Sequence, residues 1–160
     1  MKKVCAKRIV WIVAAIGWTW FIWSNSLQTA AESSETSQGI LTMVMPLLGQ
    51  TGIPEEFWHT VIRKAAHMAE FALLGILWFA GLYRQGGETG CLVWKRLGLV
   101  LILCLVTAAV DEIIQLFVPG RSGELRDVCI DVSGAFLGSG LFWAVFGRKR
   151  SWNFRMRVRI

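Results

Sequence analysis

Charged residues are scarce in this sequence, and its cysteines lack any recognisable spacing. Only 18% of the 160 residues are Asp, Glu, Lys or Arg, while 54% are hydrophobic, a composition that excludes an ordinary soluble domain. The four cysteines, at positions 5, 91, 104 and 129, stand far apart, so neither a disulfide framework nor a cysteine metal site is indicated. We expect them to be small apolar fillers within a single domain.

Long apolar runs are abundant instead. They cover residues 9–27, 65–83, 97–118 and 128–146, and each is close to the ~20 residues that an α-helix needs to cross a bilayer. The sequence therefore predicts an all-α membrane protein, a four-transmembrane-helix bundle with helices at about 9–27, 54–83, 97–118 and 127–146. Residues 147–160 are a basic tail, which we expect to lie on the membrane surface.

The segment between the first two helices is harder to place. TAAESSETSQG (29–39) has no apolar period and is predicted to be a loop. ILTMVMPLL (40–48) is too short to span a bilayer, so we expect it to be interfacial or re-entrant. Pro54, Glu55 and Glu56 are a strong helix start. The first apolar run also resembles a cleaved secretory signal, but its Trp-rich core is longer than usual, and we favour a retained helix.

Basic residues cluster at the ends of the apolar runs. Thirteen of the seventeen Lys and Arg residues fall in the N-terminal segment, the 84–96 loop and the C-terminal tail, which predicts that both termini are cytoplasmic. The net charge of +6 is therefore assigned to orientation and to anionic lipid headgroups, and not to nucleic acid. The other four cations, Arg63, Lys64, Arg121 and Arg126, fall on the outer side with every acidic residue except Glu88. We expect carboxylates to compensate these four cations.

Polar residues of all four predicted helices lie at one depth. With about 1.5 Å of rise per residue, Ser24, His67, Asp111 and Asp131 lie about 21 to 25 Å from the cytoplasmic ends of their helices. In a hydrocarbon layer about 30 Å thick, a carboxylate at this level does not reach water cheaply. We therefore expect these side chains to face one another in an outward-facing polar cleft.

Helical periodicity also gathers the polar residues of each helix on one face. The three sets are Arg63, His67 and Glu70 with Lys64 just beyond them, Thr107, Asp111 and Gln115 with Glu112 to one side, and Asp127 with Asp131. Gly134 and Gly138 share the face of the third set, and they let another helix approach closely, either within the bundle or between copies, so the oligomeric state stays open. A purely structural alternative is that the polar sets only pin the helices together, but apolar packing does that without the desolvation cost of buried charge.

Three motifs resemble those of the VanZ-like family of small bacterial membrane proteins. They are RKAAHMAEF (63–71), DEIIQLFVPGR (111–121) and LRDVCIDVSGAFLG (125–138), and the resemblance covers roughly residues 8–146. It implies a multi-pass protein of the bacterial cell membrane that acts on or within the cell envelope. Because the namesake of the family is associated with resistance to teicoplanin, a glycopeptide antibiotic with a lipid tail, the resemblance also implies a role in antibiotic resistance.

The favoured hypothesis is a binding module whose cleft holds an anionic or lipid-tailed envelope molecule. Arginine suits phosphate because its planar guanidinium donates two hydrogen bonds at once. The expected partners are membrane lipids and either a lipid-linked envelope precursor or a lipoglycopeptide. The candidate ligand-binding residues are Arg63, Lys64, Glu112, Gln115, Arg121, Arg126, Asp127 and Asp131.

The alternative is a membrane-embedded enzyme acting on a lipid-linked envelope substrate. His67 is then the general base or nucleophile, oriented by Glu70 or Asp111. No cofactor is expected, and a metal is disfavoured because His59 is not at ligand spacing from His67 and the nearby cations repel a metal ion. Ion transport is disfavoured too, because LLGILWFAG (73–81) and LGLVLILCLV (97–106) leave no polar track to the cytoplasm.

Overall fold

The described part of the chain contains five α-helices. A computed structural model describes residues 2–48, 53–83 and 90–147, and within these residues it contains no β-strand. The helices are α1 (Lys2–Ser26), α2 (Ala30–Leu48), α3 (Glu55–Leu82), α4 (Gly90–Leu116) and α5 (Leu125–Phe142), and a π-helical turn, Trp143–Gly147, follows α5. The predicted C-terminal tail lies almost entirely outside the described residues, and residues 84–89 of the predicted 84–96 loop lie outside them too.

Four of the described helices are long and apolar enough to cross a membrane. The spans are Ala6–Ser26, Glu55–Leu82, Gly90–Leu116 and Leu125–Phe146, and the mean hydropathy of their most apolar windows lies between 1.3 and 2.4. Large apolar side chains face outward along them: Trp20 is 72% exposed and Ile102 is 59% exposed. Such faces suit contact with lipid. The prediction of a four-transmembrane-helix bundle is confirmed, and the chain is a multi-pass membrane protein.

The predicted loop at 29–39 is wrong, because this polar stretch forms the first half of α2. The Glu32 carboxylate accepts hydrogen bonds from both the backbone N–H (2.8 Å) and the hydroxyl (2.9 Å) of Thr29. In return the backbone N–H of Glu32 donates to Thr29 Oγ1 at 3.4 Å. This reciprocal capping box satisfies donors at the start of a helix and favours helix initiation in a segment without an apolar period. The sequence signal was TAAE (29–32).

Helix α4 begins at Gly90, so residues 90–96 are helical and do not belong to the predicted 84–96 loop. No glycine or proline interrupts CLVWKR (91–96), and the helix continues through it. Arg96 then lies beside the end of α3, where its guanidinium Nη1 donates to the Leu82 carbonyl at 2.7 Å. That bond satisfies one of the carbonyl groups that a helix C-terminus leaves free.

Helix α3 lies at the centre of the bundle and packs most closely on α5. A Cβ atom added to Gly134 or Gly138 would collide with the backbone carbonyl of Met68 or Ala72 on α3. In the same way, a Cβ atom added to Gly75 of α3 would collide with the backbone carbonyl of Ala135 on α5. The small-residue face of α5 is therefore used inside the bundle, where close backbone contact replaces the hydrophobic driving force that lipid cannot supply.

The two ends of the bundle differ in chemistry. At the end where α1 begins and α3 finishes, which we call the apolar end, Phe79 stacks with Tyr83 (ring centroids 5.7 Å apart) and meets Phe142 edge-on (6.1 Å). The opposite end, where α1 and α4 finish and α3 and α5 begin, carries the polar side chains, and we call it the polar end. Both ends are built from the same four helices.

Candidate functional site

Helices α1 and α4 meet at the polar end through buried hydrogen bonds. The Ser26 hydroxyl donates to Asp111 Oδ1 at 2.5 Å, and the Trp23 indole N–H donates to the Thr107 carbonyl at 3.2 Å. Gln115, one helical turn beyond Asp111, donates its amide to Asp111 Oδ2 at 3.0 Å. Asp111 itself is 0% exposed. Its carboxylate is therefore fixed in orientation by one neighbour on each oxygen.

Helix α1 also binds α3 through Glu70. The Asn25 side-chain amide donates to Glu70 Oε1 at 3.1 Å, and the Trp18 indole N–H donates to the Glu70 carbonyl at 2.9 Å. The expectation that Ser24 supplies the polar group of α1 is wrong: Ser24 is exposed and its hydroxyl donates to Trp20 in its own helix. At 100° per residue, Ser24 and Ser26 point about 160° apart. Depth alone did not distinguish them.

Three helices each bring one side chain with a nitrogen or oxygen donor atom close to the same position. His67 from α3, Asp111 from α4 and Asp131 from α5 bring one side-chain nitrogen or oxygen each to within 4.8 Å of one another. Asp131 is 0% exposed, and neither of its carboxylate oxygens has a hydrogen-bond partner in the described part of the chain. A buried carboxylate of this kind is costly unless a charge or a hydrogen bond compensates it.

Two cavities lie beside this group of side chains: His67 lines both, and Asp131 lines the first. The first holds about 150 Å³ and is lined by Arg63, Lys64, His67, Gln115, Arg121, Asp127 and Asp131, with Gly120, Ser122, Glu124 and Ile130. The second holds about 340 Å³, contains Glu70 and Asn25, and is bounded by Ser33, Ser37 and Ile40 of α2. Arg63, His67 and Arg121 line both cavities. They form the wall between the two.

The three cations of the cavities are not compensated alike. Lys64 forms a salt bridge with Asp127 and lies 3.9 Å from a Glu124 oxygen. Within the described residues neither Arg63 nor Arg121 forms an ion pair, and the buried Nε of Arg121 has no hydrogen-bond partner. Burial lowers the pKa of Arg121 from its ordinary value, and the neighbouring positive charge of Arg63 lowers it further. Lys64 thus has the carboxylate partner expected of the outer cations. The charges of Asp111, Glu112 and Glu70 offset part of the lowering of the Arg121 pKa, but no carboxylate of the described residues forms an ion pair with either arginine.

Most of the candidate residues predicted from the sequence come together here. Glu112 is buried beside the site, and its carboxylate accepts a hydrogen bond from the Glu124 backbone N–H at 2.7 Å. Arg126 does not join them, because it is exposed and lines neither cavity. It precedes Asp127 on α5, and one residue turns a helix by about 100°, which carries Arg126 off the face that Asp127 and Asp131 share.

Sequence reasoning missed four groups at the site: Trp18, Asn25, Glu124 and the α2 serines. Asn25 was visible only as part of the polar triplet SNS (24–26), whose rotation about α1 could not be read without a partner helix. The α2 serines were hidden by the incorrect loop prediction. The capping box at Thr29 was the signal that identified their helix.

No curated protein and no solved structure matches the chain. A family model does. It is described as VanZ/LLP1 and matches residues 11–147. The match covers three of the spans in full, the first span from residue 11 onward, and every side chain that lines the two cavities. The chain belongs to the VanZ/LLP1 family.

Proposed function

We propose that the polar end is an outward-facing cleft that binds the anionic headgroup of a lipid or of a lipid-tailed envelope molecule. The observation that carries the proposal is the pair Arg63 and Arg121. Both line the two cavities and neither is paired with a carboxylate in the described residues. An unpaired, partly buried guanidinium retains hydrogen-bond donors for an incoming anion.

A phosphate group is the anion that best suits these donors. Guanidinium donates two parallel hydrogen bonds to phosphate oxygens, and such charge-assisted bonds are about twice as strong as neutral ones. Leaving the buried Arg121 Nε without a partner costs about 1 to 3 kcal/mol, which a bound oxygen would recover. Lys64 contributes less, because Asp127 already holds it. We therefore assign the headgroup contacts to the two arginines and an orienting role to Lys64.

The lateral surroundings of the cleft support a ligand with an apolar tail. The spans carry exposed apolar side chains such as Ile113 and Leu116 next to the polar end, so a headgroup in the cavity can leave its tail in lipid. We propose that the protein acts in the bacterial cell membrane, and that its binding of such molecules reduces susceptibility to teicoplanin-type antibiotics. The protein could reduce susceptibility in two ways: by sequestering the lipid-tailed drug or by sequestering a lipid-linked precursor.

The test is lipid binding by the purified protein in phosphatidylcholine nanodiscs doped with phosphatidic acid, read out by native mass spectrometry. We expect retention of phosphatidic acid to fall at least tenfold in Arg121→Gln and in Arg63→Gln. Arg126→Gln is the matched control, because it removes an equal charge from an exposed position on the same end of the bundle. Equal losses in all three variants, or no loss in any, would contradict a specific anion site.

The second candidate is an enzyme, and it is favoured by a different observation. The His67 imidazole lies within 4.8 Å of ligating atoms of both Asp111 and Asp131 and has no hydrogen bond to other described residues, so its ring is available for proton transfer. His67→Gln retains hydrogen bonding but cannot shuttle a proton. If antibiotic tolerance survives in His67→Gln and envelope lipid profiles are unchanged by the protein, binding alone explains the role. A lipid species that appears or disappears only with His67 present supports catalysis.

A further inference from the structure

The group His67, Asp111 and Asp131 is the part of the site that anion binding does not explain. An anionic ligand gains nothing from two carboxylates that are 0% exposed. We propose that these three side chains bind a divalent metal ion, with the imidazole nitrogen and one oxygen of each carboxylate as ligands. This proposal departs from the expectation from sequence that a metal is disfavoured.

The arrangement of the ligands supports this assignment. Their side-chain atoms lie within 4.8 Å of one another, while ligands of a tetrahedral ion with bonds of about 2.1 Å lie roughly 3.4 Å apart. Small side-chain rotations towards a common centre close that difference. The three ligands come from α3, α4 and α5, so the metal would link three helices that the sequence separates by 44 and 20 positions.

The surrounding hydrogen bonds already orient one ligand. Ser26 donates to one oxygen of Asp111 and Gln115 donates to the other, and each oxygen keeps a second lone pair for a metal. Such outer partners are a common feature of metal sites, where they hold carboxylates and imidazoles in the ligating orientation. Asp131 has no such partner on either oxygen. Its full burial without a donor is independent support for a ligand that the protein itself does not supply.

Charge also favours a cation. Six carboxylates and three cations line the two cavities or contact the residues that line them, a formal charge of −3 with His67 neutral. They are Glu70, Asp111, Glu112, Glu124, Asp127 and Asp131 against Arg63, Lys64 and Arg121. The repulsion from nearby arginines that argued against a metal is therefore outweighed by acidic groups, because buried carboxylates need a counter-charge.

The donor set selects the kind of ion. Calcium takes six to eight oxygen ligands and magnesium keeps most of its waters, so neither prefers a site with an imidazole and two carboxylates. One imidazole nitrogen with two carboxylate oxygens suits Zn²⁺ or Mn²⁺. Three protein ligands beside an open cavity of about 150 Å³ leave coordination positions for water or for an oxygen of a bound molecule. If the proposed anion site holds as well, the ion would add positive charge next to Arg63 and Arg121.

The experiment uses the full-length protein in phosphatidylcholine nanodiscs, stripped with chelator and titrated with MnCl₂ alone. We expect one Mn²⁺ per chain by elemental analysis after desalting, and a pulsed electron-paramagnetic-resonance spectrum with nitrogen coupling from one imidazole. Asp131→Asn should weaken Mn²⁺ binding at least tenfold, and His67→Gln should abolish the nitrogen coupling. Arg121→Gln should keep the metal, which separates this proposal from anion binding.

Two controls keep the result interpretable. Glu35→Gln removes an exposed carboxylate of α2 that lines neither cavity, and His59→Gln removes the other histidine. Both variants should bind Mn²⁺ as the unmodified chain does. Asp131→Asn should remain folded, since it removes a buried charge that has no partner. Substoichiometric Mn²⁺, or binding that is unchanged in Asp131→Asn, would overturn the proposal and leave the two aspartates sharing a proton as the explanation of their burial.

Discussion

The apolar end and the polar end of the bundle are built by the same helices with opposite chemistry. Phe79, Tyr83 and Phe142 pack at the apolar end through ring contacts. Asp111 and Glu70 hold the polar end together through hydrogen bonds to α1. Buried polar groups carry a desolvation cost that apolar packing avoids, and they are retained where a ligand uses them. We therefore expect substitutions in the packed seam between α3 and α5 to cost mainly stability, and substitutions at the polar end to cost mainly the proposed ligand binding.

The largest expected effect comes from breaking the packed seam between α3 and α5. Gly138→Val places side-chain atoms against the Ala72 backbone, which cannot move without displacing α3, so we expect a loss of about 2 to 3 kcal/mol in unfolding free energy. Gly140→Val is the matched control on the same helix, because a Cβ there meets nothing within 4 Å. Unfolding in mixed detergent micelles measures both, and equal stabilities would contradict the close packing.

An effect of intermediate size is expected at the polar end, where a substitution should weaken ligand binding more than it lowers the unfolding free energy. Asp111→Asn keeps the shape of the side chain, and its amide oxygen can accept from one of the two donors, Ser26 and Gln115. Its NH₂ can donate to the other partner once that group turns its own oxygen towards it, so we expect the unfolding free energy to fall by about 1 kcal/mol or less. Binding of Mn²⁺ should weaken at least tenfold in the same variant. Thr107→Val is the control, since its hydroxyl donates only to Leu103 in its own helix. A stability loss as large as that of Gly138→Val would contradict the distinction between the packed seam and the polar end.

The smallest effect concerns the start of α2, which borders the second cavity. Hydrogen bonds from the Thr29 backbone and hydroxyl lower the pKa of the Glu32 carboxyl from its ordinary value of 4.5. A carboxyl whose pKa is lowered by folding stabilises the helix above its ordinary pKa, and this stabilisation is lost as pH falls through the lowered value. We expect amide protection at the start of α2 to decrease under acid conditions, and Glu32→Gln to reduce this dependence. Glu35→Gln on the same helix should leave it unchanged.

Features that depend on a single segment of the sequence could be predicted, whereas features that depend on how two helices are oriented against each other could not. The four spans follow from hydrophobic length, and the depth of His67, Asp111 and Asp131 follows from helical rise. Their convergence was expected because buried charge must face protein or water. Which residue of SNS (24–26) faces the site depends on the rotation of α1 against its neighbours, and no local pattern encodes that rotation.

The absence of a salt bridge at Arg63 and Arg121 within the described part of the chain also could not be predicted from the sequence. Counting charges suggested that every outer cation has a carboxylate partner, yet only Lys64 obtains one among the described residues. Glu70 and Asp111 instead accept hydrogen bonds from side chains of α1, and Glu112 accepts one from the Glu124 backbone. Asp131 lies close to Asp111 and His67. Partner choice among many nearby charges is set by side-chain direction to within a few ångströms, and that precision requires coordinates.

The convergence of separate helices on one hollow can be tested by cross-linking. In a variant whose native cysteines are replaced by alanine, His67→Cys with Asp131→Cys should form a disulfide or a mercury bridge rapidly, because one side-chain nitrogen of His67 and one carboxylate oxygen of Asp131 lie within 4.8 Å of each other. Ser24→Cys with Asp131→Cys should not react, because Ser24 faces away from the site. Rapid linkage of the first pair alone is the predicted result. No linkage of the first pair, or equal linkage of both, would contradict a shared pocket.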